Sequence, residues 1–493
     1  MLSKEKENTK MGSYIESSGL SNLLAKVKLP VPEQPFDQEN IKEDTPTNEY
    51  LTAGIGKLIN KISSSDTPVH RIDSSQIDIY INEISDKITR QVKEITDQPV
   101  FKELEKTWSG IQFSVFRSNQ GIELISYPKE SLIEDFDLFE SSLEKSGLYQ
   151  HIYTKAFDQP GAIPFTYMAA DYNFNKSNDD IQLLKNISKV SAAAHCLFFA
   201  SVGHEFFGYE SLDGLLREDF NQLFKQHEFI KWNSLRDSDE SRYLGLVLNR
   251  FLLRLPYGED NKVKSFNYEE DVLSDSENYR WGNPVFAFIA NVNKALDNEG
   301  WGLNIRGPEN GGKVENLPVH IYKTSTGTHK RIPTEIKISD TKEFALSKCG
   351  FIPLCVYENQ DYAVFFSAQS IQKAIEYYDD DETASAKLAA NIPYMLLLSR
   401  IAHYLKIKLR EKTGSNVGPD EIKTELTTWL KNLQSDNSNN TSERPLKNFQ
   451  LKIETYDDSP GYYHIEMSIE PHIQLEGANV NLKLVARLNK KKE

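Results

Sequence analysis

Residues 382–414, "ETASAKLAANIPYMLLLSRIAHYLKIKLREKTG", dictate what kind of body this chain can form. The segment is helical on both sides of Pro393, apolar almost all round beyond it, and closed by Gly414. A surface helix keeps its apolar residues on one stripe, so a helix apolar on every side has to be enclosed by other elements. The chain therefore needs a large core, and its 493 residues suffice for one, with room for roughly three domains at ~150 residues each. Hydrophobic residues at 39% and charged residues at 26% are the proportions of an ordinary globular protein.

Residues 1–75 are rich in Ser, Lys, Glu, Asp, Asn and Pro and read as a flexible N-terminal arm. One island interrupts it. In "SSGLSNLLAKVKLP" the residues Leu20, Leu23, Leu24 and Val27 fall at i, i+3, i+4 and i+7 before Pro30, a short amphipathic helix over about 20–28. Either it packs on its own domain or it is a linear motif held out for a groove-type receptor. From Ser74, the residues Ile77, Ile81, Ile84, Ile88, Val92 and Ile95 make one stripe on a helix closed by Pro99, and a second helix runs into "FKELEKTWSG". "IQFSVFRS", "GIELISYP" and "FTYMAADYNF" read as strands, and "DIQLLKNISKVSAAAHCLFFASVG" as a buried helix feeding a core strand. The expected class is α+β (mixed α/β), multi-domain, with the main body over 76–375 and a C-terminal domain over 376–493.

Three strands close the chain, the last over Asn479–Leu488. There Val480, Leu482, Leu484, Ala486 and Leu488 alternate with Asn481, Lys483, Val485 and Arg487, which gives one apolar face. An amphipathic strand at that place either closes its own sheet or adds to a neighbour's by β-augmentation.

Charge and motifs exclude several classes. Lys plus Arg (57) against Asp plus Glu (72) gives −15, which argues against a general nucleic-acid or anionic-membrane binder. No apolar stretch is long enough to span a bilayer and no secretory signal opens the chain, so a cytoplasmic protein without membrane insertion is expected. Three cysteines without C-x-x-C spacing indicate neither a disulfide framework nor a zinc knuckle. Ten histidines make no metal spacing and read as surface or satisfied core residues, and Asp379, Asp380 and Asp381 read as charge at a helix N-terminus. Gly307–Lys313 reads G-x-x-x-x-G-K but fails as a phosphate cradle. Val314 replaces the Mg²⁺-binding hydroxyl, Pro308 removes a donor, and Pro318 prevents the following helix. Gly307, Gly311 and Gly312 are expected where the backbone needs positive φ or close contact. No catalytic, cofactor or metal residues emerge, so an assembly subunit is favoured over a nucleotide-binding enzyme or a soluble adaptor that presents the Leu20 helix.

Twelve stretches then resemble one family. They include "FKELEKTWSGIQF", "ISKVSAAAHCLFFAS", "RYLGLVLNRFLLRLPYG", "YRWGNPVFAF", "GWGLNIRGPENGGKVENLPVH", "PTEIKISD", "YAVFFSAQSIQK", "SRIAHYLKIKLREKTGS" and "IQLEGANVNLKLVARL", in order over about residues 99–488. Together they resemble the large contractile sheath subunit of the type VI secretion system, the TssC/VipB family. The resemblance implies a bacterial, non-enzymatic subunit that pairs with a small sheath protein (TssB/VipA). It also implies a helical tube of many such pairs around an inner Hcp tube, attachment to a baseplate, and contraction that propels the tube into a target cell. It makes Asn479–Leu488 the strand exchanged between protomers. It gives Leu20, Leu23, Leu24 and Val27 to a AAA+ recycling unfoldase (ClpV or a related Clp protein). The helix from Leu396 to Arg410, with Arg400, Lys406, Lys408 and Arg410, is the candidate for an inner surface facing the tube; burial in the core is the alternative.

Overall fold

The computed structural model describes residues 74–472 apart from 265, 267, 326, 358–359, 413–417, 436–442 and 456–462, together with 482–488. The helix expected at Leu20, Leu23, Leu24 and Val27, and Asn479, Val480 and Asn481, lie outside the described residues. The chain divides into two compact units, one with the residues up to Glu105 and Pro256–Asn278, the other with Lys106–Leu255 and everything from Tyr279 on.

In the first unit α1 spans Ser74–Thr96 and α2 begins at Pro99, running to Val115 in the second unit. Pro99 is the first residue of α2, where its missing N–H leaves no helical bond unmade. Thr96 and Tyr268 share a hydroxyl hydrogen bond at 2.8 Å, and Lys102 donates to Asn278 at 3.2 Å. Of the stripe expected on α1, Ile81, Ile84 and Ile88 are 51%, 49% and 38% exposed among the described residues, while Val92 and Ile95 are half-buried.

The second unit corrects two strand expectations. "IQFSV" belongs to α2, because Gly110 and Ser114, one helical turn apart, form a buried face. A Cβ on Gly110 would lie 2.2 Å from the Phe286 ring, so helix packing decides a segment whose short alternation mimics a strand. "GIELISYP" has no regular structure, and Ile122, Leu124 and Ile125 are exposed; alternation without a ladder partner does not make a strand.

Next come α3 (Lys129–Leu138), β1 (Tyr167–Phe174), α4 (Asn178–Ala194) and β2 (Leu197–Val202), as expected for the helix and core strand. Ser177 caps α4 by accepting from the Asp180 N–H at 3.2 Å. β3 (Leu244–Leu248) is followed by the short pair β4 (Phe251–Leu252) and β5 (Trp281–Gly282). α5 (Pro284–Glu299) starts with an Asn283 cap and Pro284 and ends at Gly300 in the left-handed region, the proline-first, glycine-last arrangement of a well-stopped helix. β6 (Lys313–Val314), the hairpin β7 (His320–Thr324) and β8 (Gly327–Arg331), α6 (Asp340–Lys348), β9 (Phe351–Val356) and β10 (Ala363–Phe365) follow. The chain then forms α7 (Asp380–Ala389), α8 (Ile392–Glu411), α9 (Pro419–Asn432), β11 (Leu446–Thr455), β12 (Tyr463–Pro471) and β13 (Leu482–Leu488).

Among the described residues a six-stranded sheet runs β1-β2-β3-β9-β10-β6, parallel through β9 and antiparallel beyond. Every residue of β2, β3 and β9 is buried, as a sheet covered on both faces requires. Residue parity sorts the layers: Leu197, Phe199, Val247, Ile352 and Leu354 face a core shared with α5 and α8, while Phe198, Ala200, Leu246, Phe351 and Cys355 face α4 and the 204–235 segment. α8 bears out its sequence, with Tyr394, Met395, Leu396 and Leu397 fully buried in succession. The core on this face continues into α9, β11 and β12, so the residues after 376 share it with the strands. Mixed helix and sheet is the class expected.

Gly245 illustrates the tightness. A Cβ there would lie 2.8 Å from Phe199 and 3.3 Å from Ile352, the neighbours on either side. Gly245→Val is expected to lower the unfolding free energy by about 1–3 kcal/mol. Thermal unfolding of the purified chain would show this as an earlier transition, whereas Gly121→Ala, with nothing within 4 Å of the added carbon, leaves it in place.

Candidate functional site

The Gly307–Lys313 loop is a backbone corner. Gly307 (φ +74°) donates its N–H to the Phe365 carbonyl at 2.7 Å, Gly312 donates to the Gly307 carbonyl at 2.9 Å, and Phe365 donates back to Gly312 at 2.9 Å. Those N–H groups are therefore turned into the protein and away from any anion. Gly311 has φ +80°, and a Cβ on it would lie 2.0 Å from the Asn304 carbonyl oxygen; one on Gly312 would lie 2.4 Å from the Gly307 nitrogen. Beyond the loop the chain enters β6 on the edge of the sheet, paired with β10, where a phosphate site needs a helix N-terminus. Lys313 sits 3.2 Å from Glu315 and 4.2 Å above the Tyr362 ring. The three glycines occupy the positions expected of them.

The α8 cations brace their own chain. Arg400 donates to the Thr166 hydroxyl at 3.0 Å, and Lys406 donates to Asp158 at 3.0 Å while lying 3.5 Å over the Phe157 ring. Arg410 donates to the carbonyls of Gln159 at 2.6 Å and Phe157 at 2.9 Å. Lys408 stands 5.9 Å from the Trp429 ring centre. Three of the four thus fasten the 157–166 segment to α8.

Under that segment lie two histidines whose pairing no local signal announces. His403 Nε2 donates to the Ala194 carbonyl at 3.0 Å, and His195, left-handed at φ +49°, places Nδ1 3.0 Å from the Tyr243 hydroxyl. Burial pushes both imidazoles down to about 4, with Lys406 adding to the effect. The three cysteines are free and buried, and burial raises each thiol. Among the described residues no group of His, Cys, Asp and Glu is placed to hold a metal ion, and no helix is long and apolar enough to cross a membrane.

β13 pairs antiparallel with β12, Leu482 opposite Ile469 and Leu488 opposite Tyr463, and forms one edge of a three-stranded sheet. Of the strand Asn479–Leu488, the residues Leu482, Lys483, Leu484, Val485, Ala486, Arg487 and Leu488 thus have a backbone position, and the strand runs close to α8.

Comparison with known proteins gives the chain its family. Residues 78–372 match the VipB tail-sheath N-terminal domain and residues 381–488 the VipB tail-sheath gpW/gp25-like domain. The type VI secretion system sheath protein TssC1 of Pseudomonas aeruginosa is 36% identical over 431 residues, covering 85% of this chain and 86% of the relative. The chain belongs to the TssC/VipB family of type VI secretion sheath proteins. It is a structural subunit of a contractile sheath. More distant likenesses are to a chain of the anti-feeding prophage baseplate (TM-score 0.37, 11% identity, 73% of this chain and 81% of that one) and to its contracted helical sheath (TM-score 0.31, 9% identity, 79% and 80%).

Two outcomes follow from this geometry. Gly311→Ala, strained both by φ and by the Asn304 carbonyl, should lower stability by about 2–5 kcal/mol, against about 1–2 for Gly307→Ala, whose surroundings are open; chemical denaturation ranks them. The second concerns pH. Both histidines are held neutral in the fold, so the unfolded chain, titrating near 6.5, binds more protons between there and about 4. Stability should be level above pH 7 and fall as pH drops through that window, by of the order of 3 kcal/mol per histidine, and His403→Gln should flatten the profile.

Proposed function

We propose that this sheath subunit works as a heteropolymer in the bacterial cytoplasm. It pairs with a small sheath subunit of the TssB/VipA kind, stacks helically around an inner Hcp tube, docks on a baseplate, and contracts to propel the tube. The exposed stripe of α1 carries this reading, because Ile81, Ile84 and Ile88 on one helix face are the surface a partner helix covers. The Asn479–Leu488 strand supplies the link between protomers: as an edge strand it can exchange into a neighbour's sheet, and a β ladder survives rigid-body motion of the domains it joins. The segment with Leu20, Leu23, Leu24 and Val27 is the handle for a AAA+ unfoldase. The candidates for the tube-facing surface remain Arg400, Lys406, Lys408 and Arg410, presented together with the 157–166 segment they brace. No bond chemistry is involved; the work comes from a metastable lattice relaxing to a better packed one.

Negative-stain microscopy of the chain co-expressed with the small subunit tests this. Wild type should give hollow tubes, a truncation ending at Gly477 none, and Ile84→Asp with Ile88→Asp should lose co-purification of the small subunit. Well-folded wild-type monomers that leave the small subunit unbound would overturn the reading and restore the adaptor alternative; saturable nucleotide binding would restore the enzyme.

A further inference from the structure

One arginine of this subunit has nothing to hold. Arg236, Arg250, Arg331, Arg400 and Arg410 each donate to an oxygen of their own chain. Arg306 is half-buried too, yet among the described residues it has no hydrogen bond, ion pair or ring contact. Burial alone pulls its pKa below the usual arginine value, with no carboxylate to oppose the shift. The acidic residues of its own loop do not serve it. Glu309 is exposed and makes no ion pair with it, and Glu315 is engaged by Lys313 at 3.2 Å. A guanidinium drawn partly out of water without a counter-charge costs free energy that a paired carboxylate would offset.

The glycine corner fixes where this arginine starts. Ile305 before it is fully buried, Gly307 after it donates to the Phe365 carbonyl at 2.7 Å, and a Cβ on Gly312 would lie 2.6 Å from the Arg306 carbonyl carbon. A side chain rooted in so tight a backbone loses little further freedom on binding. The space beside it is open, because a Cβ on Gly307 would meet nothing within 4 Å. The same corner decides which anion fits. The N–H groups of Gly307 and Gly312 are bonded to the carbonyls of Phe365 and Gly307, and Pro308 has none, so a phosphate would find one cation and no backbone cradle. A carboxylate needs only two parallel N–H bonds, which one guanidinium fork supplies.

We propose that Arg306 is a binding site for the carboxylate of an aspartate or glutamate on a neighbouring sheath subunit. The fork stands unpaired in the single chain and closes on its partner when subunits stack. An arginine rooted in rigid backbone and paired on association is the kind of residue that carries much of an interface's energy. Because the unpaired charge disfavours the free subunit, the pair biases the chain towards the assembled state. With 72 acidic residues against 57 basic ones, a second copy of this chain offers carboxylates in excess, and the small subunit is the other source. The inference rests on the polymer reading and adds to it one residue whose charge the lattice neutralises.

The test compares the full chain with Arg306→Gln, alone and co-expressed with the small subunit. In the chain alone, the thermal transition of Arg306→Gln should stay in place or rise, because the arginine has no partner there to lose. In co-expression its yield of tubes should fall about tenfold. A photocrosslinking residue at position 309, which leaves Arg306 intact, then finds the partner. In wild-type-like tubes it should capture a peptide with an aspartate or glutamate, and the mass of the product tells a second large subunit from the small one. Neutralising that acidic residue should reproduce the loss, and adding Arg306→Gln to it should make the loss no deeper. Normal tubes from Arg306→Gln overturn the inference and leave the sheath function standing. So do an earlier thermal transition, which would mark a purely internal role, and cross-links confined to the arginine's own chain. Failure of wild type to form tubes sinks the polymer reading itself.

Discussion

The enclosure of α8 is the interaction on which the rest of this subunit depends. Because Tyr394, Met395, Leu396 and Leu397 are all buried, the helix needs neighbours on every side, and it finds them in α5, the sheet, α9 and the β11–β12 pair. Each such side chain removed from water contributes on the order of 2 kcal/mol, so together they bind the main sheet and the C-terminal elements into one core. The cover is continued by contacts of the same helix with the periphery. Trp301 and Tyr404 meet at 6.1 Å, Tyr404 and Trp429 at 6.3 Å, and a Cβ on Gly302 would lie 3.1 Å from Leu396.

On the face of α8 turned from that core the chemistry changes and the task with it, while Ile401, Leu405 and Leu409 stay buried. The face bearing Arg400, Lys406 and Arg410 meets an irregular segment whose carbonyls at Phe157 and Gln159 both accept from the Arg410 fork, Gln159 also accepting from the Ala162 N–H. A helix apolar all round on its first half and cationic on one edge of its second can bury itself and still staple a loop. The His403 bond to the end of α4 belongs to the same arrangement. It places an imidazole where burial favours the neutral form.

The parts that the sequence made legible are those decided locally. The burial of α8 follows from its composition, the α4–β2 unit from a helical period followed by an apolar run, and the glycine corner from residues that alone tolerate φ near +75° without a Cβ. What escaped was decided at a distance. "IQFSV" alternates like a strand, and only the Phe286 ring against Gly110 makes it a helix. The β7–β8 hairpin is polar on both faces, so it has no alternation to reveal it, and the His195–His403 arrangement joins residues far apart in the chain. The α1 stripe is half legible for a related reason: its period is plain in the sequence, but that Ile81, Ile84 and Ile88 are exposed among the described residues emerges only in the fold.

A contractile sheath does work through the free-energy difference between two lattices, and a subunit can supply that difference from its interior or from its contacts. The interior here is poorly suited to it. Gly245 between Phe199 and Ile352, Gly110 under Phe286 and a sheet buried on both faces leave no layer free to slide without clashes. A close-packed core of this kind moves as a body, and what changes between lattices must then be which outer surfaces meet. The exposed isoleucines of α1, the backbone edge of β13 and the basic β7–β8 hairpin are the outer surfaces of this kind, where contacts can be exchanged while the fold stays the same. Stored energy belongs in such contacts because each subunit need contribute only a little: summed over a long polymer, a difference of a kilocalorie per subunit is large, while no single subunit comes near its unfolding limit of some 5–15 kcal/mol.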